Sequence, residues 1–184
     1  VFSFMYSCRK DDIATGSSFK LNFSTDSVLF DTVFTTFGST TKRLKIYNRN
    51  KEALIISDIY VEGGAGSQFR INVDGVPGNA HEDVRIEGND SLFVFLEVTI
   101  DPNNLLSDFV VNDRVHFITN GNQQTVQMAA WGRNAHYYVA NKTVAGIPIV
   151  YLDRDTSAGP LDSTWTDDKP YVIYGGYLTL DGND

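Results

Sequence analysis

The chain has 184 residues, 42% of them hydrophobic, and a formal net charge of −8, which together allow one sandwich-sized domain with an appendage. Its 15 lysines and arginines are scattered, so no segment is basic enough to neutralise a phosphate backbone, which argues against nucleic acid as a partner. The single cysteine excludes an internal disulfide framework and a multi-cysteine metal cluster.

The first eight residues are typical of the end of a bacterial lipoprotein signal peptide. An apolar stretch over residues 1–6 ends at the small residue Ser7, which precedes the only cysteine, Cys8. Lipid attachment needs a thiol nucleophile at the cleavage point and a small residue before it, and Ser7-Cys8 provides both. We therefore expect residues 1–8 to be a signal-peptide remnant with its lipobox, and Cys8 to carry lipid. The alternative is a buried, unreactive thiol at the start of the first strand.

Residues 9–18 are expected to form a tether. The charged run Arg9-Lys10-Asp11-Asp12 follows Cys8, and residues 13–18 are small and polar, which suits a flexible linker. The charged run resembles the acidic surface-export signal of Bacteroidota lipoproteins, in which a lysine precedes a pair of acids. That resemblance implies an outer-membrane lipoprotein exposed at the cell surface. The alternative is a solvated linker without such a signal.

Between residues 19 and 133 the hydrophobic pattern has a period of two, which predicts β-strands. The predicted strands cover residues 19–23, 27–36, 42–47, 53–61, 69–73, 84–86, 91–100, 115–117 and 126–128. Residues 48–51, 63–66 and 74–80 have the composition of turns and loops. A phase shift near Ser57-Asp58 predicts a β-bulge, and Asn120-Gly121 between two alternating runs predicts a tight hairpin.

The run over residues 91–100 is apolar on both faces. Its even-numbered apolar positions face one side of the strand, and Phe93 and Phe95 face the other. A strand of this kind belongs in the centre of a sheet, with its second face partly covered by a loop or a neighbouring domain.

This series of short strands predicts an all-β fold, an immunoglobulin-like antiparallel β-sandwich over residues 19–133 with a short C-terminal β segment. The segments Asp31-Thr-Val-Phe-Thr-Thr-Phe-Gly-Ser, Lys45-Ile-Tyr-Asn, Phe69-Arg-Ile-Asn-Val-Asp-Gly and Ile118-Thr-Asn-Gly-Asn resemble immunoglobulin-like domains of Bacteroidota surface lipoproteins. The arrangement is also similar to the ASPM-SPD-2-Hydin type of sandwich. This resemblance implies a structural or adhesive role and supplies no catalytic residues.

The sequence changes in character after residue 133. Residues 134–163 are expected to form a linker with one short strand and an exposed loop. The stretch from Thr164 to Gly175 resembles the opening of a right-handed parallel β-helix in the same lipoproteins, so residues 164–184 are expected to be the start of a truncated β-helix domain. The alternative is a hairpin docked on the sandwich.

No pattern of residues predicts a catalytic, cofactor or metal site. His81, His116 and His136 lack partners at metal-binding spacing, and no Gly-x-Ser-x-Gly elbow supports a Ser-His-Asp triad. We expect His81 to be solvated in a loop and His116 to point outward from its strand. The paired acids Asp167-Asp168 are expected to be surface charge.

A group of aromatic residues lies in and around the C-terminal region: Tyr137, Tyr138, Trp165, Tyr171, Tyr174 and Tyr177. These residues predict either a platform on which sugars stack or the packing of two domains against each other.

The sequence therefore favours a non-enzymatic, lipid-anchored protein of the bacterial cell envelope with a structural or adhesive role. Its partners would be the membrane, reached through the lipid anchor, and a surface glycan or protein. Two alternatives come from other classes: the non-catalytic N-terminal part of a β-helix polysaccharide lyase or hydrolase, and a glycan-binding module.

Overall fold

The protein is all-β in a computed structural model that describes residues 12–34, 38–100, 108–140, 142–151 and 166–179. It divides into two compact units, residues 1–101 with 110–132 and residues 102–109 with 133–184. No helix in the described ranges is long and apolar enough to cross a membrane.

The first unit is an immunoglobulin-like antiparallel sandwich of two five-stranded sheets. Its strands are β1 (Asn22–Phe23), β2 (Ser27–Phe34), β3 (Lys42–Tyr47), β4 (Leu54–Val61), β5 (Phe69–Val73), β6 (Val76–Pro77), β7 (Ala80–Ile86), β8 (Ser91–Val98), β9 (Asp108–Thr119) and β10 (Asn122–Arg133). The first sheet has the order β1-β3-β8-β5-β6 and the second the order β2-β10-β9-β4-β7. The predicted fold class is thus confirmed.

The core lies between the two sheets, where alternate residues of the strands β2, β3, β4, β5, β8 and β10 are buried along much of their length. Leu44 and Val94 of the first sheet and Ile56 of the second are 0% exposed. Two ring contacts join the sheets: the ring centroids of Phe23 and Phe117 are 5.0 Å apart, and those of Phe30 and Phe69 are 5.8 Å apart. Since the chain has one cysteine, this apolar packing holds the sandwich without a disulfide.

Three predictions about local structure are confirmed. Strand β8 lies at the centre of the first sheet, paired with β3 on one side and β5 on the other. The register of β4 against β9 shifts between Ile56 and Asp58, as the bulge requires. Asn120 and Gly121 both have positive φ, 51° and 75°, which is the geometry of a tight hairpin turn between β9 and β10.

The structure differs from the expected flexible tether over residues 13–18. The Asp12 carbonyl accepts a hydrogen bond from the Ala53 amide at 3.1 Å, and the Ala14 amide donates to the Ala53 carbonyl at 2.9 Å. The Asn120 side chain donates to the Ala14 carbonyl at 3.0 Å. These partners lie far away in sequence, so the polar composition of the segment could not reveal them. The sandwich therefore holds the chain at Asp12 and Ala14.

The loop predicted over residues 74–80 is also shorter than expected. It contains β6 and the first residue of β7. The turn before β6 is made by Asp74 and Gly75, which both have positive φ. Strand β6 is only two residues long, too short for an alternating hydrophobic pattern to indicate it.

The second unit contains strands within the region that we expected to be a linker. They are β11 (His136–Val139), β12 (Lys142–Val144) and β13 (Ile147–Tyr151), followed by β14 (Tyr171–Tyr174) and β15 (Tyr177–Thr179). Strand β14 pairs in parallel with β11, and β15 pairs in parallel with β13. Each later strand therefore lies alongside an earlier one in the same direction.

Candidate functional site

Several residues singled out from the sequence lie outside the described ranges. They include Cys8, the expected lipid attachment point, with its neighbour Ser7, the first three residues of the charged run at 9–12, and Trp165, one of the aromatic residues. Lipid attachment therefore stays a prediction.

His116 is buried by polar partners on the outer face of the second sheet. It points outward as expected, but its side chain is only 11% exposed. Gln123 Nε2 donates to its Nδ1 at 2.9 Å, and Thr125 Oγ1 lies 3.2 Å from the same nitrogen. Its Nε2 lies 3.3 Å from a Glu62 carboxylate oxygen. The ring also stacks on Tyr60, with centroids 4.9 Å apart. Both ring nitrogens thus have hydrogen-bonding partners, so the histidine has a structural role rather than a free nitrogen for a metal.

His81 lies in β7 and not in a loop, and it is half-buried. Its Nε2 lies 2.7 Å from the Gly78 carbonyl oxygen, which can only accept the hydrogen bond. In the described ranges no three metal-ligating side chains converge.

His136 is part of a polar cluster in the second unit. Its Nε2 lies 3.1 Å from Asp168 Oδ1, and its ring stacks on Tyr171 with centroids 4.8 Å apart. Thr166 donates from its hydroxyl to Asp168 Oδ1, and its amide donates to the Tyr171 hydroxyl at 2.6 Å. The cluster joins the start of β11 to the turn before β14. We call these four residues the His136 cluster.

The order of contacts in the His136 cluster does not suit nucleophilic catalysis. In a hydrolase triad the histidine stands between the hydroxyl and the acid. Here Asp168 stands between Thr166 and His136. The hydrogen bonds from Thr166 and His136 lower the pKa of Asp168 to about 2, so this carboxylate is too weak a base to activate the hydroxyl. The cluster is suited to fixing the positions of β11 and β14.

Four tyrosines of the second unit fall into two groups according to their exposure. Tyr138 and Tyr171 are half-buried and stack on each other, with ring centroids 6.0 Å apart and an angle of 14° between the rings. Tyr174 and Tyr177 are 53% and 71% exposed. Packing thus accounts for the first pair, while the second pair is open to solvent.

The outer face of the first sheet carries a feature that the sequence analysis missed. The Lys45 ammonium lies 5.1 Å from the Tyr47 ring centroid and 5.2 Å from that of Phe93. The Arg49 guanidinium lies 5.5 Å from the Tyr47 ring, and Phe93 stacks on Phe95 with centroids 6.2 Å apart. The alternation of cations with Tyr47 was visible in the sequence. The partnership with Phe93 depends on the pairing of β3 with β8, which the sequence does not specify.

No protein-family model matches the sequence. The comparison with curated proteins likewise gives no match.

Several solved structures resemble the fold at low identity. A family 123 glycoside hydrolase from Clostridium perfringens is 10% identical with a TM-score of 0.43, over 61% of this chain and 25% of that one. A protein of unknown function from Porphyromonas gingivalis is 12% identical with a TM-score of 0.44, over 60% and 45%. A PapD-like domain of human CEP192 is 13% identical with a TM-score of 0.38, over 73% and 96%.

The chain therefore spans about a quarter of the first of these proteins and less than half of the second. Their activities do not transfer to it at this identity. The sandwich assignment rests on the strand order and pairing described above.

Proposed function

We propose that the protein is a non-enzymatic, lipid-anchored module of the bacterial cell envelope. Acyl chains on Cys8 would hold it in the outer membrane, with the sandwich exposed at the cell surface as a structural or adhesive spacer. The second unit would be the part that the spacer presents.

The observation that carries the proposal is that the sandwich binds the chain a short distance after Cys8. Asp12, whose carbonyl is bonded to Ala53, lies four positions after Cys8. Four residues span at most roughly 14 Å when fully extended. A lipid on Cys8 would therefore keep the folded sandwich close to the membrane surface. Several acyl chains are needed for firm anchoring, because a single chain binds reversibly.

Two parallel strand pairs in the second unit, beside one antiparallel pair of β12 with β13, support a β-helix as the presented part. Strands β14 and β15 are separated by a short turn, and each lies parallel to an earlier strand, β11 and β13 respectively. Successive rungs of a parallel solenoid pair in this way, and each rung buries its faces only against its neighbours.

The contacts of the His136 cluster support a non-enzymatic role. Asp168 accepts hydrogen bonds from both Thr166 and His136, and this order leaves the hydroxyl without a histidine to act as its base. The polysaccharide lyase or hydrolase alternative would need convergent acids or a competent nucleophile.

Cell fractionation tests the anchor. The protein is expressed with its complete leader in a Gram-negative host, alongside Cys8→Ser, which retains a small polar side chain. We expect wild-type protein in the outer-membrane fraction, where protease added to intact cells digests it, and the variant in the soluble fraction. Identical distribution of the two proteins would contradict the proposal.

Polysaccharide depolymerisation assays test the absence of catalysis. The wild-type protein and Asp168→Asn, which keeps the size of the side chain, are incubated with neutral and acidic polysaccharides. We expect no release of product by either. Product formed by the wild type and lost in Asp168→Asn would contradict the non-enzymatic proposal.

A further inference from the structure

Three cations on or beside the outer face of the first sheet have no carboxylate partner among the residues that the structure describes. They are Arg43 and Lys45 of β3 and Arg49 of the following turn, and none makes an ion pair within the described ranges. Arg43 is paired across the sheet with Phe95 and Lys45 with Phe93. We call these five residues, with Tyr47, the cationic face.

The aromatic rings of the cationic face are partly open to solvent. Phe93 is 39% exposed, and Tyr47 and Phe95 are half-buried. The nearest acids along β8 stand at its two ends and have partners of their own. Asp90 accepts from the Ser91 amide at 2.7 Å, and Glu97 accepts from the Thr41 hydroxyl at 2.6 Å. The centre of the face therefore combines positive charge with apolar rings.

On the outer face of the second sheet, by contrast, two arginines are paired with carboxylates. Arg114 lies 3.4 Å from a Glu62 oxygen, and Arg85 lies 2.6 Å from a Glu87 oxygen. Its cations are thus neutralised by neighbouring acids. The two sides of the sandwich differ in the charge that they offer to a partner.

The cationic face begins at the end of the sandwich where the N-terminal segment enters. Arg49 belongs to the turn between β3 and β4, which the buried side chain of Asn48 closes by donating to the Glu52 carbonyl at 2.8 Å. The next residue, Ala53, is the one bonded to Asp12. A lipid on Cys8 would therefore enter the membrane beside this face.

We propose that the cationic face lies against a lipid surface with anionic headgroups. This inference rests on the proposed lipid anchor and adds an orientation to it. Aromatic rings favour the boundary between headgroups and acyl chains, and the long stems of lysine and arginine lie along that boundary with their charges at the phosphates.

The net charge of −8 fits this arrangement. A free protein with that charge is repelled by an anionic membrane, and the repulsion is screened beyond a Debye length of about 10 Å at 0.1 M salt. The anchor keeps the bonded residue Asp12 within roughly 14 Å of the lipid, a span comparable with that distance, and the local positive charge of the face then decides the orientation of the sandwich. The detached protein is not recruited.

Fluorescence quenching by brominated lipids tests the orientation. The purified chain is coupled through its only thiol, Cys8, to a maleimide lipid in vesicles, so the test does not depend on acylation in cells. Phe93→Trp in a Trp131→Phe, Trp165→Phe background reports on the cationic face. Trp131, which is 47% exposed on β10, serves as the control in a Trp165→Phe background.

The expected result is quenching of the tryptophan at position 93 in vesicles of phosphatidylcholine with phosphatidylglycerol, and little quenching of Trp131. The double variant Lys45→Glu, Arg49→Glu loses most of the quenching at position 93. The matched control Arg85→Glu, Arg114→Glu changes the net charge equally and keeps it.

Equal quenching at both tryptophans, or quenching that survives Lys45→Glu, Arg49→Glu, would overturn the orientation. Failure of acylation at Cys8 in cells would overturn the anchor and leave this vesicle result unaffected. An emission change at position 93 with soluble polygalacturonate and none with vesicles would assign the face to an acidic glycan instead, and so overturn the proposal.

Discussion

At the scale of single residues, two turns of the sandwich meet backbone to backbone at Gly88. A Cβ atom placed on Gly88 would lie 1.9 Å from the Lys51 carbonyl oxygen. The contact is held by a hydrogen bond of 2.8 Å from the Asn89 amide to the Asn50 carbonyl. Only glycine fits here, because the neighbouring atom belongs to the backbone and cannot move aside as a flexible side chain would.

The first prediction is that Gly88→Ala lowers the free energy of unfolding by about 3 kcal/mol, since it forces these turns apart. Urea unfolding measures the change. Gly66→Ala is the matched control, because a Cβ at Gly66 meets nothing within 4 Å. Equal stability of the two variants would show that the turns are not in contact.

Asn48, which is 1% exposed, joins the same two turns. Its side-chain amide donates to the carbonyls of Glu52, Ile86 and Glu87 at 2.8, 3.2 and 3.0 Å. Its side-chain oxygen accepts from the Asn50 amide at 3.0 Å. The polar atoms of this buried side chain are satisfied.

We predict that Asn48→Ala costs about 2 kcal/mol of stability, because it leaves buried carbonyls without donors. The exposed Asn22 provides the control, and Asn22→Ala should change stability by less than about 0.5 kcal/mol. Thermal and urea unfolding both measure the difference. A cost for Asn48→Ala no larger than the control would contradict the assigned role.

The ionisation of Asp168 supplies a test by pH. Hydrogen bonds from Thr166 and His136 lower its pKa from 3.8 to about 2. Because the folded pKa lies below the unfolded one, its contribution to stability is present above about pH 4 and is lost as the pH falls through 2. The side-chain carboxyl carbon of Asp168, followed by NMR, should titrate with a midpoint near 2. A midpoint near 3.8, unchanged by Thr166→Val, would show that the cluster does not form.

At the scale of elements, the sequence predicted the strands with long alternating patterns. Strands β3 and β5 have their predicted bounds, and the two apolar faces of β8 correctly indicated a central strand. The pattern is informative there because one face of each strand must be buried.

Elements fixed by distant partners could not be predicted. Strand β1 is only two residues long, because the preceding residue Leu21 is bonded to a side chain and not to a neighbouring strand. The side chain of Gln124, 103 positions away, accepts from the Leu21 amide and donates to the Leu21 carbonyl, both at 3.0 Å. The site residues show the same limit. The outward direction of His116 was predictable from alternation, but its burial depends on Glu62, Gln123 and Thr125 from other strand positions.

The parallel pairing of β15 with β13 depends on a close approach of two backbone segments at Gly176. A Cβ there would lie 2.6 Å from the Pro148 carbonyl oxygen. We predict that Gly176→Ala separates β15 from β13 at a cost of about 1–3 kcal/mol. Hydrogen exchange of the amides in residues 147–151 and 177–179 should accelerate. Tyr177→Ala, which removes a ring that is 71% exposed, should leave exchange unchanged. Equal exchange in both variants would contradict the parallel pairing.

At the scale of the molecule, three features are arranged in a consistent order along the chain. The only cysteine lies four positions before Asp12, a residue that the sandwich binds. The turn that receives this residue also begins the cationic face. The parallel strands of the second unit follow the sandwich in the sequence. Under the proposed function, these features order the chain as anchor, spacer and presented unit.

The mass of the N-terminal peptide tests the central claim most directly. The protein is expressed with its complete leader, extracted from membranes and digested, and the peptide that contains Cys8 is analysed by mass spectrometry. The account predicts a peptide that begins at Cys8 and carries a diacylglycerol group and an amide-linked acyl chain. A peptide with an unmodified Cys8, or one that continues through Ser7, would contradict it.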